Sequence, residues 1–301
     1  MFLERSCPGC GTRSRATPAV RSRVVAESQS FESLKPHWHG FFKEKVFFSY
    51  CRCTACGLLH CPLYFSAAQL AELYRQMPDN TAGVPVEALR KTQRGYFDIL
   101  KRFSAPEGDY LEVGPDIGLF TEYCVQEGRF GRYHLFEPNR AVWPTLSDNL
   151  KGRRHDIYDQ MFDFDAVPDQ SVSVAVMIHV LDHVIDPVQT LRVLRRTLKE
   201  KAVLMLVTHD ESSLLARLMG TRWPPYCLQH PELFRQASIS ALLKRAGFSV
   251  LRVDKTYNHF PLTYLMKHLC WMLGARLDIR GTAGPQLPIK LGNILTVATP
   301  L

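Results

Sequence analysis

Apolar runs of strand length alternate with helical patterns along most of this chain. The apolar runs are rich in β-branched and aromatic residues and end at glycine, proline or acidic positions, which is typical of buried strands. The pattern predicts strands at 41–52, 110–113, 133–136, 172–178, 202–208, 248–254 and 292–299, and helices at 66–76, 86–103, 190–198 and 238–246. This alternation predicts an α/β fold with helices on both faces of a mostly parallel sheet.

A glycine-containing turn follows the strand at 110–113, in the sequence Y-L-E-V-G-P-D-I-G-L-F of residues 110–120. A strand that ends in such a turn lets a ligand approach the backbone, and the helix that follows offers its N-terminal N–H groups. Glu137 ends the next strand, 25 residues after Glu112. Because a carboxylate there suits a ribose diol, these features predict a nucleoside-cofactor site at the carboxyl ends of parallel strands.

The turn Gly114-Pro115-Asp116-Ile117-Gly118 indicates the kind of cofactor. A dinucleotide site prefers G-x-G-x-x-G, and an acidic side chain there would repel a pyrophosphate. Asp116 is compatible with a cationic ligand such as S-adenosylmethionine, which carries a sulfonium and an amino group. At these residues the chain resembles the class I S-adenosylmethionine-dependent methyltransferases, whose first motif reads E-x-G-x-G-x-G. Glu112, Gly114 and Gly118 match it, and Asp116 replaces its middle glycine.

The resemblance extends beyond this turn and implies both a fold and a set of ligand contacts. The segment H-V-L-D-H-V-I-D-P, residues 179–187, resembles the family's hVLEHVxDP. The resemblance implies a doubly wound, mostly parallel, seven-stranded Rossmann-like sheet whose last strand is antiparallel. It also implies that Glu137 holds the ribose and that Asp156-Ile157 contacts the adenine. The predicted cofactor-binding residues are Glu112, Gly114, Pro115, Asp116, Gly118, Glu137, Pro138, Asp156, Ile157 and His179.

Four of the nine cysteines form two Cys-x-x-Cys-Gly repeats, Cys7-Pro-Gly-Cys10-Gly and Cys53-Thr-Ala-Cys56-Gly. In such a knuckle two thiolates chelate one ion, and the glycine lets the chain turn back. Two knuckles supply four ligands and predict a structural zinc, because a closed tetrahedral site has no open position for chemistry. The 42 residues between the repeats imply an inserted hairpin or loop.

Two other interpretations of these cysteines are less favoured. A disulfide pair fits poorly because no secretory signal precedes the cysteines, and a redox pair fits poorly because the motif occurs twice with a trailing glycine. The neighbouring cysteines and histidines are predicted to be structural and not ligands; they are Cys51, Cys61, His60, His37 and His39.

The segment R-C-T-A-C-G-L-L-H-C-P-L-Y-F-S-A-A-Q-L-A-E-L-Y, residues 52–74, resembles the N-terminal ribbon of one methyltransferase subgroup. That subgroup, with the pattern RCxxCGLxxxxPxPSxxxLxxLY, is similar to enzymes of sugar, glycan and natural-product pathways, including zinc-ribbon sugar C-methyltransferases. Those sugar enzymes usually carry a further C-terminal domain, which is not found in these 301 residues. The predicted organisation is a zinc-ribbon module at 1–65, linking helices at 66–105, and a methyltransferase domain at 106–301 with a substrate lid at about 211–236.

Candidate catalytic residues lie just beyond the fourth strand of the implied fold and in the insertion 211–235. They are His179, His183, Tyr226 and His230. Methyl transfer to an acceptor of high pKa needs a base, and histidine suits that role near neutral pH. The same side chains could instead bind the backbone or shape a pocket. Metal binding by His179 and His183, four residues apart, is disfavoured because the sequence shows no third ligand nearby.

The insertion is predicted to lie over the cofactor pocket as a lid, and the segment 255–291 is predicted to be irregular and to wall the substrate site. Adjacent prolines in Trp223-Pro-Pro-Tyr226 are incompatible with a regular helix. Trp223 is predicted to be a core residue, with stacking on a sugar as the alternative. His230, in the sequence H-P-E-L-F, resembles the histidine of the subgroup's HxxxFS.

Composition narrows the partners further. The chain is 46% hydrophobic with a net charge of +8, and no apolar run is long enough to cross a bilayer, which predicts a soluble, cytoplasmic protein. Basic residues concentrate between the two knuckles, at Arg13, Arg15, Arg21 and Arg23. They could attract anionic small molecules such as nucleotide sugars, with nucleic acid as the less favoured partner.

The sequence therefore predicts transfer of a methyl group from S-adenosylmethionine to a small molecule, most favourably to a hydroxyl of a sugar, glycan or natural-product intermediate. A ribosomal RNA methyltransferase with an RNA-binding ribbon is the first alternative. A cofactor-binding module without catalysis, suggested by Asp116, is the second. The pattern specifies no oligomeric state.

Overall fold

The computed structural model describes residues 1–13, 16–39, 46–75, 85–272, 284–290 and 292–301. The last residue of the helix predicted at 66–76 lies outside these residues, as does the first part of the strand predicted at 41–52. The strands are β1 (Leu3–Glu4), β2 (Ala16–Val20), β3 (Val24–Val25), β4 (Val46–Phe47), β5 (Tyr50–Cys53), β6 (Leu59–His60), β7 (Leu63–Tyr64), β8 (Glu107–Val113), β9 (Arg129–Phe136), β10 (His155–Tyr158), β11 (Val172–Ile178), β12 (Leu198–His209), β13 (Glu232–Leu233), β14 (Phe248–Lys255), β15 (Asn258–Pro261), β16 (Gln286–Ile289) and β17 (Asn293–Pro300). The helices are α1 (Phe31–Leu34), α2 (Ala67–Arg75), α3 (Val86–Leu100), α4 (Leu119–Glu127), α5 (Trp143–Asn149), α6 (Pro187–Thr197), α7 (Leu214–Met219), α8 (Gln236–Arg245) and α9 (Leu262–Met272).

Seven strands form the central sheet in the order β10-β9-β8-β11-β12-β17-β14. Neighbouring strands are parallel, except that β17 runs antiparallel to both β12 and β14. The predicted doubly wound, mostly parallel sheet of seven strands is confirmed. The strand order reverses between β8 and β11, and in such sheets ligands bind at the carboxyl ends of the strands beside that point.

Helices pack on both faces of the sheet because each presents one apolar stripe. On one face, Phe97 of α3 and Phe120 of α4 pack with the apolar side chains of β8 and β9. On the other, Leu191 of α6 and Leu242 of α8 pack against β11 and β12. Asp186 caps α6 by accepting a hydrogen bond from the backbone N–H of Gln189, and Pro187 occupies the first turn, a position where its missing N–H costs nothing.

The N-terminal module is built around a second sheet, with antiparallel strands in the order β13-β6-β5-β2. Three of these strands come from the first 65 residues, but β13 belongs to the insertion predicted at 211–235. The module and the insertion also share one hydrophobic cluster, which includes Trp38, Phe65 and Trp223. The insertion is thus packed into the module.

Buried polar contacts fix the insertion to the module. Arg5 and Glu232 form an ion pair of 2.8 Å in which both side chains are almost fully buried. The hydroxyl of Tyr50 donates to the carbonyl oxygen of His230, and that of Tyr64 to the carbonyl oxygen of Leu228, both at 2.6 Å. These bonds satisfy backbone groups that burial would otherwise leave unpaired.

The segment predicted to be irregular, 255–291, contains regular structure where it is described. β15 and β16 pair as antiparallel strands, and α9 follows β15 directly. In the described parts of the chain, none of the helices combines the length and apolarity needed to cross a bilayer.

Candidate functional site

The glycine turn between β8 and α4 adopts three left-handed backbone conformations, with φ of 68° at Gly114, 53° at Asp116 and 78° at Gly118. A Cβ atom at Gly114 would lie 2.6 Å from Cγ2 of Val180, and one at Gly118 would lie 2.7 Å from Cδ1 of Leu146. Both glycines are therefore required by space as well as by conformation. Asp116 adopts a left-handed backbone conformation, which aspartate tolerates better than most residues.

Glu137 lies directly after β9 and connects this turn to the next strand. Its carboxylate accepts hydrogen bonds from the backbone N–H groups of Asp116, at 3.0 Å, and Asn139, at 2.8 Å. Burial raises the pKa of Glu137, and the two backbone bonds oppose that rise. The carboxylate is held at the edge of the sheet, where Pro138 follows it on the surface. This is the position predicted for a ribose-binding group.

Glu112, the second-to-last residue of β8, is also buried at this edge. Its Oε2 accepts hydrogen bonds from the hydroxyls of Tyr110, at 2.7 Å, and Thr121, at 2.6 Å. Burial raises the pKa of Glu112 to about 7, against the lowering effect of these two bonds. Because this pKa lies near neutral pH, a cation placed nearby would shift the carboxyl towards its charged form.

Asp156, predicted to contact the adenine, lies within β10 and not at its carboxyl end. Tyr158 ends β10 opposite Phe136, the last residue of β9, so Asp156 lies two residues before the carboxyl edge. Its Oδ2 accepts a hydrogen bond from Nε of Arg132 at 2.6 Å. The side chain of Ile157 packs against the cluster beneath the sheet. The carboxylate that follows β10 at the edge is Asp159, which forms an ion pair with Arg140.

Four histidine rings lie in contact at the carboxyl ends of β11 and β12. The ring centroids are 4.7 Å apart for His179 and His209, 4.8 Å for His209 and His230, and 4.6 Å for His230 and His183. Asp182 is fully buried beneath them. Its Oδ2 accepts hydrogen bonds from the backbone N–H of His209, at 3.2 Å, and from Nδ1 of the same ring.

Three of these histidines have further partners that orient their rings. His230 donates its Nδ1–H to the carbonyl oxygen of Pro225 at 2.7 Å. His183 lies with Nδ1 3.4 Å from the hydroxyl of Tyr74. His179 has a left-handed backbone, with φ of 54°, and its Nε2 is 3.2 Å from Nδ2 of Asn293. Burial lowers the pKa of His179 to about 3, so its ring is neutral.

Tyr226 and Trp223 lie deeper in the module than the histidines. Trp223 is buried, and its ring contacts those of both His209 and Tyr226. Tyr226 packs against Phe47 and Tyr50. Burial raises the pKa of Tyr226 to about 12, which disfavours loss of its proton near neutral pH. The arrangement agrees with a core role for Trp223.

The four predicted zinc ligands come together in the module. The Sγ atoms are 3.5 Å apart for Cys7 and Cys56, and 3.5 Å for Cys10 and Cys53. All four thiols lie within 4.8 Å of one another, and zinc–sulfur bonds of about 2.3 Å fit such spacings. Gly11 and Gly57, with φ of 75° and 74°, close the two knuckles in the same way.

The group of four does not include the neighbouring cysteines and histidines. Cys61, for example, is buried and donates to the carbonyl oxygen of Phe48 at 3.6 Å. Cys7, Cys53 and Leu58 belong to the hydrophobic cluster that contains α6 and α8. The cysteine group therefore sits between the module and the central sheet.

Comparison with known proteins agrees with this architecture. A family model described as "Methyltransferase domain" matches residues 88–253. No curated protein matches the sequence. Among solved structures, one described as a complex between the Haloferax volcanii Trm112 methyltransferase activator and a methyltransferase is similar, with a TM-score of 0.52 and 15% identity over 70% of this chain and 90% of that one.

Two further structures are similar at low identity. A protein described as an S-adenosylmethionine-dependent methyltransferase from Listeria monocytogenes has a TM-score of 0.50 and 10% identity, covering 69% of this chain and 99% of its own. A SAM-dependent methyltransferase from Thermotoga maritima has a TM-score of 0.48 and 17% identity, covering 71% and 92%. At these identities, the similarity to the Haloferax volcanii and Listeria monocytogenes structures concerns the fold.

The fold and the glycine turn define an S-adenosylmethionine-dependent methyltransferase of the Rossmann-like class. Because the family model covers more than half of the chain, the chain belongs to the methyltransferase-domain family.

Sequence reasoning did not single out Asp159, His209 or the hydrogen bond between Asp182 and His209 at this edge. A signal existed for His209, which follows the fifth strand of the doubly wound pattern. In such a sheet the fourth and fifth strands are neighbours, so residues at their carboxyl ends meet. The sequence pattern around β10 contains no comparable signal for Asp159.

Proposed function

We propose that this methyltransferase methylates a hydroxyl group of a small molecule such as a sugar, glycan or natural-product intermediate. The observation that carries the proposal is the histidine cluster immediately beside the glycine turn. Val180, the residue after His179, lies where a side chain on Gly114 would be. A ligand on the turn and an acceptor on the histidines would therefore be adjacent, as in-line displacement requires.

The turn and the strand ends suit the parts of S-adenosylmethionine, which supplies an electrophilic methyl group when bound. Gly114 and Gly118 keep the backbone open for the cofactor, with Pro115 and Asp116 between them. Glu137 binds the ribose hydroxyls with the oxygen lone pairs that its two backbone bonds leave available. Glu112 and Asp116 provide negative charge for the cationic end.

Adenine recognition is assigned to Asp159 in place of Asp156. The family resemblance implies an acidic residue for the adenine contact, and Asp159 is the carboxylate that follows β10 at the carboxyl edge of the sheet. Its ion pair with Arg140 connects it to the segment after Glu137. Because both segments lie at the same edge, the adenosine would lie between them.

His183 and His230 are assigned to the acceptor. His230 donates Nδ1–H to Pro225, so its Nε2 carries the lone pair and can accept a hydrogen bond from an acceptor hydroxyl. His183 contacts His230 and Tyr74, and His179 precedes Val180, whose side chain lies against the glycine turn. Tyr226 supports the rings through Trp223. These side chains orient the acceptor and receive its proton.

The cysteine group is assigned to a structural zinc ion. The four thiols converge and the knuckles offer no fifth group, which suits a closed site. The ion would hold the two knuckles against α6 and α8. In this arrangement the module predicted at 1–65 and the insertion at about 211–236 together cover the edge of the sheet that carries the histidine cluster. Nucleic acid is not the expected partner.

The test is methyl transfer by the purified protein to a panel of nucleotide sugars and glycan intermediates, measured as S-adenosylhomocysteine formation. His183→Gln and His230→Gln should lower turnover while leaving S-adenosylhomocysteine affinity unchanged. His155→Gln, at a half-buried histidine on β10, is the matched control and should keep full turnover. Full activity in both cluster variants would contradict the assignment of the acceptor site.

A further inference from the structure

Two buried polar atoms in the histidine cluster have no hydrogen-bond partner among the described residues. They are Nδ1 of His179 and Oδ1 of Asp182. Asp182 is fully buried, and its other oxygen is engaged by His209. Leaving a buried carboxylate oxygen and an imidazole nitrogen unpaired costs about 1–3 kcal/mol for each group, and more for a charged one. Such a pair needs a ligand that both atoms can bind.

We propose that His179, Asp182 and His209 bind a divalent transition-metal ion. Each side chain brings one ligand atom to within 4.8 Å of the other two. A single ion at the centre of such a group would satisfy the buried carboxylate and imidazole together. The chain then has two metal sites of different chemistry, one of thiolates and one of imidazoles and a carboxylate.

The donor set selects the kind of ion. Two imidazoles and one carboxylate suit zinc, cobalt, iron or nickel, whereas magnesium and calcium prefer oxygen ligands alone. Three protein ligands leave coordination positions for water or substrate, as in catalytic metal sites. The site therefore differs from the closed cysteine group, which has four protein ligands.

The surroundings hold these ligands as metal sites usually do. Nδ2 of Asn293 lies 3.2 Å from Nε2 of His179; with this amide turned so that its oxygen faces the ring, Nε2–H would donate to that oxygen and the lone pair of Nδ1 would point into the cluster. The backbone N–H of His209 fixes the Asp182 carboxylate. His179 keeps a left-handed backbone that is strained for histidine, as residues at functional sites often are.

The position of the ion gives it a function that rests on the proposed acceptor site. The three ligands follow β11 and β12, next to the glycine turn. An ion there would bind the acceptor oxygen and favour transfer of its proton to Nε2 of His230, while His183 helps to hold the acceptor. Ion binding itself depends only on the three side chains, so it is tested without cofactor or acceptor.

The experiment is titration of the full-length, zinc-loaded protein with Co²⁺, followed by metal analysis and visible absorbance. The wild type should bind one Co²⁺ beyond its zinc, with weak d–d bands and no thiolate-to-cobalt charge transfer. Asp182→Asn and His209→Gln should lose this ion while keeping the zinc and the affinity for S-adenosylhomocysteine. His155→Gln, whose ring lies on β10, should bind Co²⁺ like the wild type.

Three results would overturn the proposal. The wild type could bind no Co²⁺ beyond its zinc, the bound Co²⁺ could show thiolate charge transfer, or both ligand variants could keep the ion. If the two variants do not fold, His179→Asn replaces them, because asparagine tolerates the left-handed backbone at this position. Failure of Co²⁺ binding with intact cofactor binding would reject the ion and leave the proposed methyl transfer standing.

Discussion

Asp116 illustrates how one residue can depart from a motif without losing its shape. Its φ of 53° lies in the left-handed region that glycine favours, and its backbone N–H donates to the Glu137 carboxylate. The side chain adds a negative charge beside the turn, where a cationic cofactor is favoured over a pyrophosphate. The turn thus depends on the two remaining glycines for space and on Asp116 for charge.

Gly114→Ala should abolish cofactor binding. The added Cβ would lie 2.6 Å from Val180 on a backbone with φ of 68°, so both the turn and the segment after β11 must shift. The matched control is Gly95→Ala in α3, where a Cβ meets nothing within 4 Å and should stabilise the helix by about 0.5–1 kcal/mol. Isothermal titration with S-adenosylhomocysteine and thermal unfolding measure the two effects; unchanged affinity in Gly114→Ala would contradict the assigned cofactor position.

Asp159 and Asp156 form a second matched pair at the residue scale. Asp159→Asn should weaken S-adenosylmethionine binding by about tenfold, the value of one charge-assisted hydrogen bond. Asp156→Asn removes a carboxylate of the same strand that faces Arg132 and should leave the affinity unchanged. Titration of both variants decides between them, and the opposite order of effects would return the adenine contact to Asp156.

At the scale of elements, the insertion and the module depend on each other through β13 and β6. In this strand pairing Glu232 lies opposite His60, and Leu233 lies opposite Leu59. The Arg5–Glu232 ion pair involves a residue of the same strand pair. Burial raises the pKa of Glu232 to about 8, while Arg5 opposes the rise. Removing one partner of such a pair leaves the other uncompensated in the interior.

Arg5→Ala should destabilise the protein by about 3–5 kcal/mol, because it leaves the Glu232 carboxyl without its charge partner and removes a donor to the carbonyl of Ile185. Arg5→Ala combined with Glu232→Gln should recover part of this loss. The control Arg13→Ala, at a more exposed residue of the module, should change stability little. Denaturant unfolding measures the stability of all three variants. Equal stability of Arg5→Ala and wild type would contradict the stabilising role of the Arg5–Glu232 ion pair.

The elements that sequence patterns predicted are those specified by local signals. Strand periodicity located β8, β9, β11, β12, β14 and β17, and Cys-x-x-Cys-Gly located both knuckles. What sequence patterns did not reveal depends on contacts between distant residues, such as the pairing of β13 with β6 and of Asp182 with His209. The resemblance implied Asp156 for the adenine contact, and periodicity does not specify where a short strand such as β10 ends.

At the scale of the whole molecule, the cysteine group joins the module to the central sheet. Cys7 and Cys53 pack in the same cluster as the helices α6 and α8. Through β13 the module also reaches the segment that carries His230. A structural ion in the cysteine group would therefore stabilise the position of the histidine cluster indirectly, through the module and β13.

Cys10→Ser should release the zinc ion and lower the melting temperature of the module and the insertion together. The reason is that the knuckles pack on α6 and α8, so their loss exposes a shared cluster. Cys270→Ser, at a cysteine in α9 outside the group, should keep one zinc per chain. Metal analysis and calorimetry measure both, and an unchanged zinc content in Cys10→Ser would contradict the assigned ligands.

The most direct measurement is isothermal titration of the purified protein with S-adenosylmethionine and S-adenosylhomocysteine, in the wild type and in Glu137→Gln. Glu137 accepts two backbone hydrogen bonds at the carboxyl edge, and an exposed carboxylate on β12, changed in Glu200→Gln, is the control. We predict micromolar binding of both ligands, preserved in Glu200→Gln and lost in Glu137→Gln. Absence of binding in the wild type, or full binding in Glu137→Gln, would contradict a cofactor site at the glycine turn.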